Sequence, residues 1–202
     1  MARKIRVLLL KMMTTFYRRV IVFSRQMENI SSPANLPFPI DITTLQEKDL
    51  PAYHRFRPEQ NPRMIRKRIA DGDQCFLVRR EGQIVHSGWV ATGRKLEPYL
   101  RCPLILQPDE IFLYDHYTHP SFRGNGLAQA RDICVLRRYR EKGYQRSLAV
   151  VAVENKRAFR PFEAIGYLPI GMFKCLRFGP WQWTWVERWG EAPLPVSTKR
   201  GM

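Results

Sequence analysis

The second half of the chain alternates between strand-like segments and segments with helical spacing. Residues 110–120, EIFLYDHYTHP, are rich in aromatic and β-compatible side chains, which predicts a strand. Over residues 126–142 apolar side chains recur every three or four positions, so we expect a helix that ends at Gly143. A wholly apolar strand, SLAVVAV at 147–153, and a second helix over residues 155–167 follow.

The first half shows the same two patterns in the opposite order. Residues 45–56 and 61–72 predict two short helices, because proline and glycine stand where such helices begin and end. Residues 74–80 and 83–92 predict two strands, and the dipeptide Glu81-Gly82 between them predicts a tight hairpin turn.

The C-terminal segment predicts a last hairpin that carries three tryptophans. Trp181, Trp183 and Trp185 alternate along its second strand, so their rings share one face of the sheet. Such a face either stacks on a flat substrate, such as a sugar, or is buried against the core, which is the more common place for three clustered indoles.

These elements divide the chain into four zones. A basic leader covers residues 1–26, a connector rich in Ser, Pro and Asn covers 27–39, one folded domain covers 40–190, and a flexible tail covers 191–202. With 202 residues, the chain is long enough for one domain with a substantial core.

The leader combines apolar and basic residues. Written as a helix, residues 4–20 place an apolar stripe beside several cations, an arrangement that suits the surface of an anionic membrane. Two alternatives compete: the segment packs on its own domain or a partner subunit, or VIVFSRQ forms the first strand of the sheet. Cations interrupt the apolar runs, so neither a signal peptide nor a transmembrane helix is expected.

The charge of the chain indicates an anionic partner. Lys and Arg number 34 against 18 Asp and Glu, a formal charge of +16. Phosphate, nucleic acid, a membrane surface and an acidic small molecule all fit this charge, but we find no recognisable nucleic-acid-binding motif. The 4 cysteines are scattered, which favours reduced thiols in a cytoplasmic protein over a metal site and leaves disulfides formally open.

The segment HPSFRGNGLAQARD, residues 119–132, places two glycines between a strand and a helix. Backbone N–H groups at the start of a helix are unpaired and lie at the positive end of its dipole. Gly124 and Gly126 allow close approach of a phosphate, and Arg123 adds a charged donor. The alternative is an ordinary turn that needs glycine for its dihedral angles.

Two motifs resemble those of the GNAT superfamily of CoA-dependent N-acyltransferases. PSFRGNGLA is similar to the acyl-CoA motif Q/R-x-x-G-x-G/A of that family, and NKRAFRPFEAIGY is similar to its second signature, an Asn that opens a helix ending in Gly-Tyr. The matching positions are Arg123, Gly126 and Ala128 in the first motif, and Asn155, Ala158, Phe162, Gly166 and Tyr167 in the second.

The resemblance implies an α+β fold with a mixed, mostly antiparallel sheet flanked by helices. The sheet would be splayed between its fourth strand, residues 110–120, and its fifth, residues 147–153, to admit the pantetheine arm. The implied cofactor-binding residues are Tyr117 and Thr118 for pantetheine, Arg123, Gly124, Asn125, Gly126, Leu127 and Ala128 for pyrophosphate, and Asn155 and Phe162 near the thioester.

The resemblance also implies an N-acetyltransferase that moves an acetyl group from acetyl-CoA to a primary amine. Glu110 occupies the place where some family members carry a glutamate base, and His116 is the second candidate, since imidazole titrates near neutral pH. The alternatives are a solvated charge at the strand end for Glu110 and a hydrogen-bonded structural role for His116. Many relatives protonate the CoA thiolate with a tyrosine where this chain has Phe162. Tyr114, Tyr117 or Tyr167 would have to substitute, or the thiolate leaves unassisted.

The resemblance and the charge also lead to expectations about partners, cellular location and alternative functions. We expect acetyl-CoA as co-substrate, no metal, and a small-molecule or protein amine as acceptor. The protein is expected in the cytoplasm, with residues 1–20 as an optional contact to an anionic membrane, and a homodimer is left open. A non-catalytic CoA-binding protein and a basic nucleic-acid-binding protein are the two alternative functions, the latter disfavoured by the missing motif.

Overall fold

The computed structural model describes residues 17–30, 36–97, 99–100, 102–178 and 181–195. The strands in these ranges are β1 (Tyr17–Gln26), β2 (Asp41–Thr44), β3 (Gln74–Arg80), β4 (Gln83–Ala91), β5 (Arg94–Glu97), β6 (Cys102–Ile105), β7 (Glu110–Thr118), β8 (Arg146–Ala152), β9 (Leu168–Phe178) and β10 (Trp181–Arg188). The α-helices are α1 (Leu50–Phe56), α2 (Pro62–Ala70), α3 (Leu127–Glu141) and α4 (Phe159–Ala164).

Eight of the strands form one mixed sheet. Their order is β10-β9-β1-β8-β7-β4-β3-β2, and β5 pairs with β6 in a separate hairpin. β7 and β8 run parallel, whereas the other pairs of the sheet are antiparallel. The prediction of a mixed, mostly antiparallel sheet flanked by helices is therefore confirmed.

Helices cover both faces of the sheet. On one face Tyr53 of α1 and Ile65 of α2 pack in a cluster with Trp89 of β4, and the Trp89 indole donates a hydrogen bond to the Tyr53 hydroxyl at 3.1 Å. On the other face, side chains of α3 and α4 pack in a second cluster that includes Ile133 and Phe162. Because successive side chains of a strand point to opposite faces, the central strands supply both clusters.

β1 lies in the middle of the sheet, between β8 and β9. Residues 17–20, which helical spacing assigned to the leader, are extended because the β-branched run that begins at Val20 is buried on the sheet. Of the alternatives for this segment, the structure shows VIVFSRQ as a strand. Residues 1–16, with most of the predicted leader helix, lie outside the described residues.

Residues 191–195 pack against the domain and do not behave as the flexible tail that the sequence suggests. Leu194 is buried in the same cluster as Trp89, the Pro193 carbonyl accepts a hydrogen bond from Arg146 at 3.0 Å, and the Pro195 carbonyl accepts one from the Ile105 backbone at 2.9 Å. Residues 196–202 lie outside the described range.

The predicted helix over residues 155–167 starts late. A 3₁₀ turn covers Lys156–Ala158, and α4 begins only at Phe159. Pro161 therefore occupies the first turn of α4, where a backbone N–H would have no partner within the helix. Asn155, the expected N-cap, makes no capping hydrogen bond with its side chain.

Trp183 and Trp185 of β10 are exposed, so their interpretation as a buried face is wrong. Trp183 and Trp185 expose 45% and 48% of their surface. β10 is the edge strand, and β9 and β1 separate it from β8. At about 4.8 Å per strand, the indoles lie about 14 Å from β8, so they are not placed to stack on a substrate between β7 and β8.

Glu110 and Arg146 form a buried ion pair at the end of the sheet where β7 and β8 begin. Arg146 Nε donates to Glu110 Oε1 at 2.8 Å, and Arg146 Nη2 contacts the same oxygen. The backbone N–H of Gln107 donates to Glu110 Oε2 at 2.9 Å. Each buried charge thus has an opposite charge beside it, which offsets the cost of removing both from water.

We expect Glu110→Gln to destabilise the fold, because it leaves the buried guanidinium of Arg146 without its negative partner. Loss of one member of a buried pair costs about 3 kcal/mol, and chemical denaturation would measure that loss in the free energy of unfolding. The exposed Glu141, changed to Gln, is the matched control and should cost less than about 0.5 kcal/mol. Unchanged stability with a large loss of turnover would instead give Glu110 a part in the chemistry.

Candidate functional site

β7 and β8 separate halfway along their length. Their pairing runs from Glu110 opposite Arg146 to Leu113 opposite Ala149 and ends there. β8 continues to Ala152 on its pairing with β1, and β7 continues to Thr118 on its pairing with β4. The two strands therefore form the splay that the sequence resemblance implies, and the second half of β7 has no pairing with β8.

A bulge in β7 lies at the start of this splay. The register of β4 against β7 shifts between Ser87 and Trp89, so that Gly88 faces two residues, Asp115 and His116. Asp115 has a φ of 50°, in the left-handed region that favours glycine. An aspartate holds this conformation only where surrounding contacts fix it.

Two arginines and a glutamine fix Asp115. Arg57 Nη2 lies 3.1 Å from one carboxylate oxygen, while Arg68 Nη1 lies 2.5 Å and Gln60 Nε2 3.1 Å from the other. Burial by itself raises the pKa of Asp115, but the charges of Arg68 and Arg57 outweigh it and hold the pKa below its usual range. Arg57 also lies over the Tyr117 ring, 4.4 Å from its centroid.

On the opposite face of the sheet, Arg131 of α3 packs into the space that Gly88 leaves. A Cβ atom at Gly88 would lie 1.8 Å from Arg131 Nη2, so any other residue there would displace the guanidinium. Arg131 is fully buried. Its Nη2 lies 2.8 Å from His116 Nε2, and its Nη1 lies 3.0 Å from Asp132 Oδ1.

The contact with Arg131 determines the tautomer of His116. A guanidinium only donates hydrogen bonds, so His116 Nε2 accepts and the proton lies on Nδ1, 3.8 Å from Asp132 Oδ2. Burial, the charge of Arg131 and, to a smaller extent, the nearby His86 hold the pKa of His116 well below its usual range. Burial raises the pKa of Asp132 to about 6, although the Arg131 charge opposes this.

The glycine loop follows β7 directly. After a 3₁₀ turn at Pro120–Phe122, Arg123 is extended, Gly124 has a φ of 81° and Gly126 a φ of 73°, and α3 begins at the next residue. A Cβ at Gly124 would meet no atom within 4 Å, so the backbone there faces open space. Arg123 Nε donates to the Thr118 carbonyl at 3.2 Å, which joins the loop to the end of β7.

Residues of the predicted connector hold this loop in place. Phe38 packs edge-on against Phe122 at 6.1 Å between centroids, and Arg80 lies over both rings. Leu36 lies 3.6 Å from the position of a Cβ at Gly126. Residues 36–40 are therefore part of the domain and support the candidate phosphate site.

Phe162 of α4 covers the splay from the helical side. Its ring lies 5.4 Å from that of His116 on β7 and 6.0 Å from that of Phe23 on β1, which is the neighbour of β8. Asn155 is exposed in the turn after β8. Phe162 and the bulge thus lie at the same opening.

The structure brings together most of the site residues expected from the sequence and leaves one apart. Tyr117 and Thr118 end β7 beside the glycine loop, and His116 touches Phe162. In the loop, Arg123 and Gly124 are exposed, Asn125, Gly126 and Ala128 are half-buried, and Leu127 is buried, so only its backbone is available to a ligand. Glu110 lies at the paired end of β7, away from the splay, with both carboxylate oxygens occupied.

Two of the three tyrosines considered as proton donors are engaged elsewhere. The Tyr114 hydroxyl donates to Asp73 at 2.5 Å, and the Tyr167 hydroxyl lies 2.5 Å from that of Ser147. Burial, with the charge of Asp73, raises the pKa of Tyr114. Burial and the charge of Asp132 likewise raise the pKa of the Tyr167 hydroxyl. Tyr117 is half-buried and packs beside Phe56.

Sequence reasoning missed Arg131 and its partner Gly88. One feature of the sequence would have found the arginine: Leu127, Arg131 and Val135 follow each other at four-residue spacing on the buried stripe of α3. A charge in the middle of an apolar stripe indicates a buried ion pair or a site. Gly88 inside a strand likewise indicates a bulge or a close approach.

Neither a metal site nor a membrane-spanning helix is found in the part of the chain that the structure describes. No group of three or more His, Cys, Asp or Glu side chains is placed to bind a metal ion there. Within the same residues, no helix has the length and apolar character needed to cross a bilayer. The cysteines at positions 75, 102, 134 and 175 are free thiols.

Solved structures with the same fold come from several GNAT proteins. A GNAT-family protein from Novosphingobium aromaticivorans is 17% identical, with a TM-score of 0.53 over 78% of this chain and 62% of that one. A GNAT acetyltransferase from Colwellia psychrerythraea is 16% identical, with a TM-score of 0.55 over 76% and 53%. The glucosamine N-acetyltransferase region of a fungal GH3 β-N-acetylglucosaminidase is 14% identical, with a TM-score of 0.60 over 85% and 22%.

The three TM-scores establish a shared fold. The chain spans less than two thirds of the length of each of the three proteins. A comparison with curated protein sequences gave no significant match. At the level of the family, residues 41–167 match the sequence profile of the acetyltransferase (GNAT) family. Because this match spans more than half of the chain and the fold agrees with it, the chain belongs to the GNAT acetyltransferase family.

Proposed function

We propose that the protein transfers an acetyl group from acetyl-CoA to a primary amine. The observation that carries the proposal is the end of the β7–β8 pairing at Leu113 and Ala149, on the same strand that leads into the glycine loop. Strand edges without a partner can pair with the amides of an extended arm, and helix N-termini preceded by glycine bind phosphate. Acetyl-CoA carries both groups on one molecule.

The cofactor would lie along β7 and the start of α3. Its pyrophosphate would contact backbone N–H groups from Gly124 to Ala128 and the side chain of Arg123, and its pantetheine amides would pair with the backbone at Tyr117 and Thr118. The thioester would then lie toward Asn155 and Phe162. The formal charge of +16 favours the approach of this anionic cofactor.

The reaction forms an amide and releases CoA. The nitrogen of a neutral amine attacks the thioester carbonyl carbon, the carbon–sulfur bond breaks, and the thiolate takes up a proton as the amine loses one. The acceptor must therefore present an uncharged amine in the splay between β7 and β8. The chain's own groups would orient the two substrates.

We assign His116 a positioning role in this reaction and not that of the base. Its Nε2 lone pair is occupied by Arg131, and its lowered pKa makes it a weak proton acceptor at neutral pH. The amine proton therefore leaves through solvent. Tyr117, half-buried on the strand that would contact the cofactor, is the one of the three tyrosines placed to protonate the thiolate.

Binding of CoA without turnover is a second candidate, favoured by Phe162. This ring donates no proton and is packed among Phe23, His116 and Tyr167. Titration calorimetry with acetyl-CoA, followed by a panel of amines monitored through release of free CoA thiol, distinguishes the two. Binding heat without thiol release from any amine would support the second candidate.

Gly126→Val should abolish acetyl-CoA binding. A β-branched residue does not accommodate a φ of 73°, so the loop would rearrange and its N–H groups would turn away from the pyrophosphate. Gly143→Val is the matched control, because Gly143 has a φ of 91° at the other end of α3. Calorimetry should show binding lost in the first variant and kept in the second. Equal binding in both folded variants would refute the placement of the pyrophosphate.

His116→Gln tests the assignment of His116. The Gln carbonyl can still accept from Arg131, so a positioning role predicts a kcat within about threefold of the wild type and a moderate rise in KM for acetyl-CoA. Loss of a general base lowers kcat by about 100-fold or more. Steady-state kinetics with each substrate varied in turn separates these results, and a fall of that size at unchanged KM would make His116 the base.

A further inference from the structure

Four arginines among the described residues are buried, and three of them contact a carboxylate. Arg57 contacts Glu59 and Asp115, Arg131 contacts Asp132, and Arg146 contacts Glu110. The fourth is Arg25, near the end of β1. Among the described residues, no carboxylate oxygen lies within 4.0 Å of its guanidinium nitrogens. A buried guanidinium without a negative partner is costly, which makes Arg25 the exception that needs an explanation.

The hydrogen bonds of Arg25 are also incomplete. Only 6% of the residue is exposed. Its Nη2 donates to the Asn29 carbonyl at 2.9 Å, whereas its Nη1 is buried without a hydrogen-bond partner among the described atoms. Burial lowers the pKa of Arg25, and the Tyr167 hydroxyl nearby opposes this. A neutral carbonyl thus supplies the one hydrogen bond of a group that prefers an anion.

Arg25 lines a cavity of about 440 Å³. Other residues of its wall are Ser24, Gln26, Glu28, Asn29, Leu168, Ile170 and Ala192. Gly166 closes one side, where a Cβ would lie 3.6 Å from the Arg25 guanidinium carbon. The cavity is large enough for a small organic molecule.

This cavity is separate from the splay. Arg25 pairs with Ser147 at the start of β8, whereas the open end of β8 is at Ala152, opposite Val20. Five residues of extended strand separate the two positions along β1, which corresponds to about 16 Å. A ligand in one site would therefore leave the other accessible.

We infer that this cavity is a binding site for a small oxyanion, a carboxylate or a phosphate, held by Arg25. The anion supplies the negative charge that the other three buried arginines receive from Asp or Glu. Its oxygens accept from the guanidinium. Glu28, exposed in the same wall, weakens the binding by repulsion.

The test measures binding of inorganic phosphate and of succinate to the full chain by calorimetry and by melting temperature. We expect saturable binding of at least one of the two probes and a rise in melting temperature with its concentration. Arg25→Met should weaken this binding at least about tenfold, the value of a charged hydrogen bond. The same variant without ligand should melt no lower than the wild type, because it removes a buried unpaired charge.

Two further variants make the result specific to this cavity. Glu28→Gln, at an exposed position, should strengthen binding of the anion and keeps the inference testable if Arg25→Met does not fold. Arg123→Ala, in the glycine loop, should leave binding at Arg25 unchanged. Binding that disappears in Arg123→Ala and persists in Arg25→Met would place the anion in the loop and overturn the inference. So would the absence of binding of either probe to the wild type. Acetyl-CoA binding by Arg25→Met reports separately on the proposed function.

Discussion

The contact of Arg131 with Gly88 and His116 is the constraint on which the candidate site depends. It fills the space opposite the β7 bulge on one face of the sheet, while Arg57 and Arg68 hold Asp115 on the other. Contacts on both faces of the sheet thus fix Asp115 and His116, two neighbouring residues whose backbone departs from regular strand pairing. The end of β7 is thereby aimed at the glycine loop, and Phe162 and the loop take their positions from it. A rigid bulge presents backbone groups to a ligand at no further ordering cost.

Charge in this molecule is organised by burial. At the surface the excess of cations is solvated, but inside the fold Arg57, Arg131 and Arg146 each face an acid, and burial together with the charge of Arg131 lowers the pKa of His116. The interior therefore carries compensated pairs, while the net positive charge remains for long-range attraction. Arg25 departs from this arrangement, and an exogenous anion would restore it.

Apart from the β5–β6 hairpin, the order of elements from residue 45 to 178 and the glycine loop could be predicted from sequence, because periodicity and glycine positions are local properties. The position of β1 could not, since its apolar run fits either a helix or a strand and only pairing with β8 and β9 decides. Glu110 was a candidate base because its place at the start of β7 matches a family position. Its ion-pair partner Arg146 is 36 residues away in sequence, so local sequence does not predict the pair. Arg131 stands out as a charge in the buried stripe of α3, but its partners Gly88 and His116 lie on two strands far away in sequence, and local patterns do not predict such contacts.

The central place of β1 has a consequence for synthesis of the chain on the ribosome. Its two neighbours, β8 (Arg146–Ala152) and β9 (Leu168–Phe178), lie far along the sequence from β1 (Tyr17–Gln26), so β1 waits for its partners until both have emerged. Meanwhile Val20, Val22 and Phe23 have no sheet to pack on, and an apolar unpaired strand is prone to intermolecular association. Formation of this sheet is therefore expected to be slowed by contacts between distant segments. Chaperone binding to β1 as it emerges would protect it during this delay.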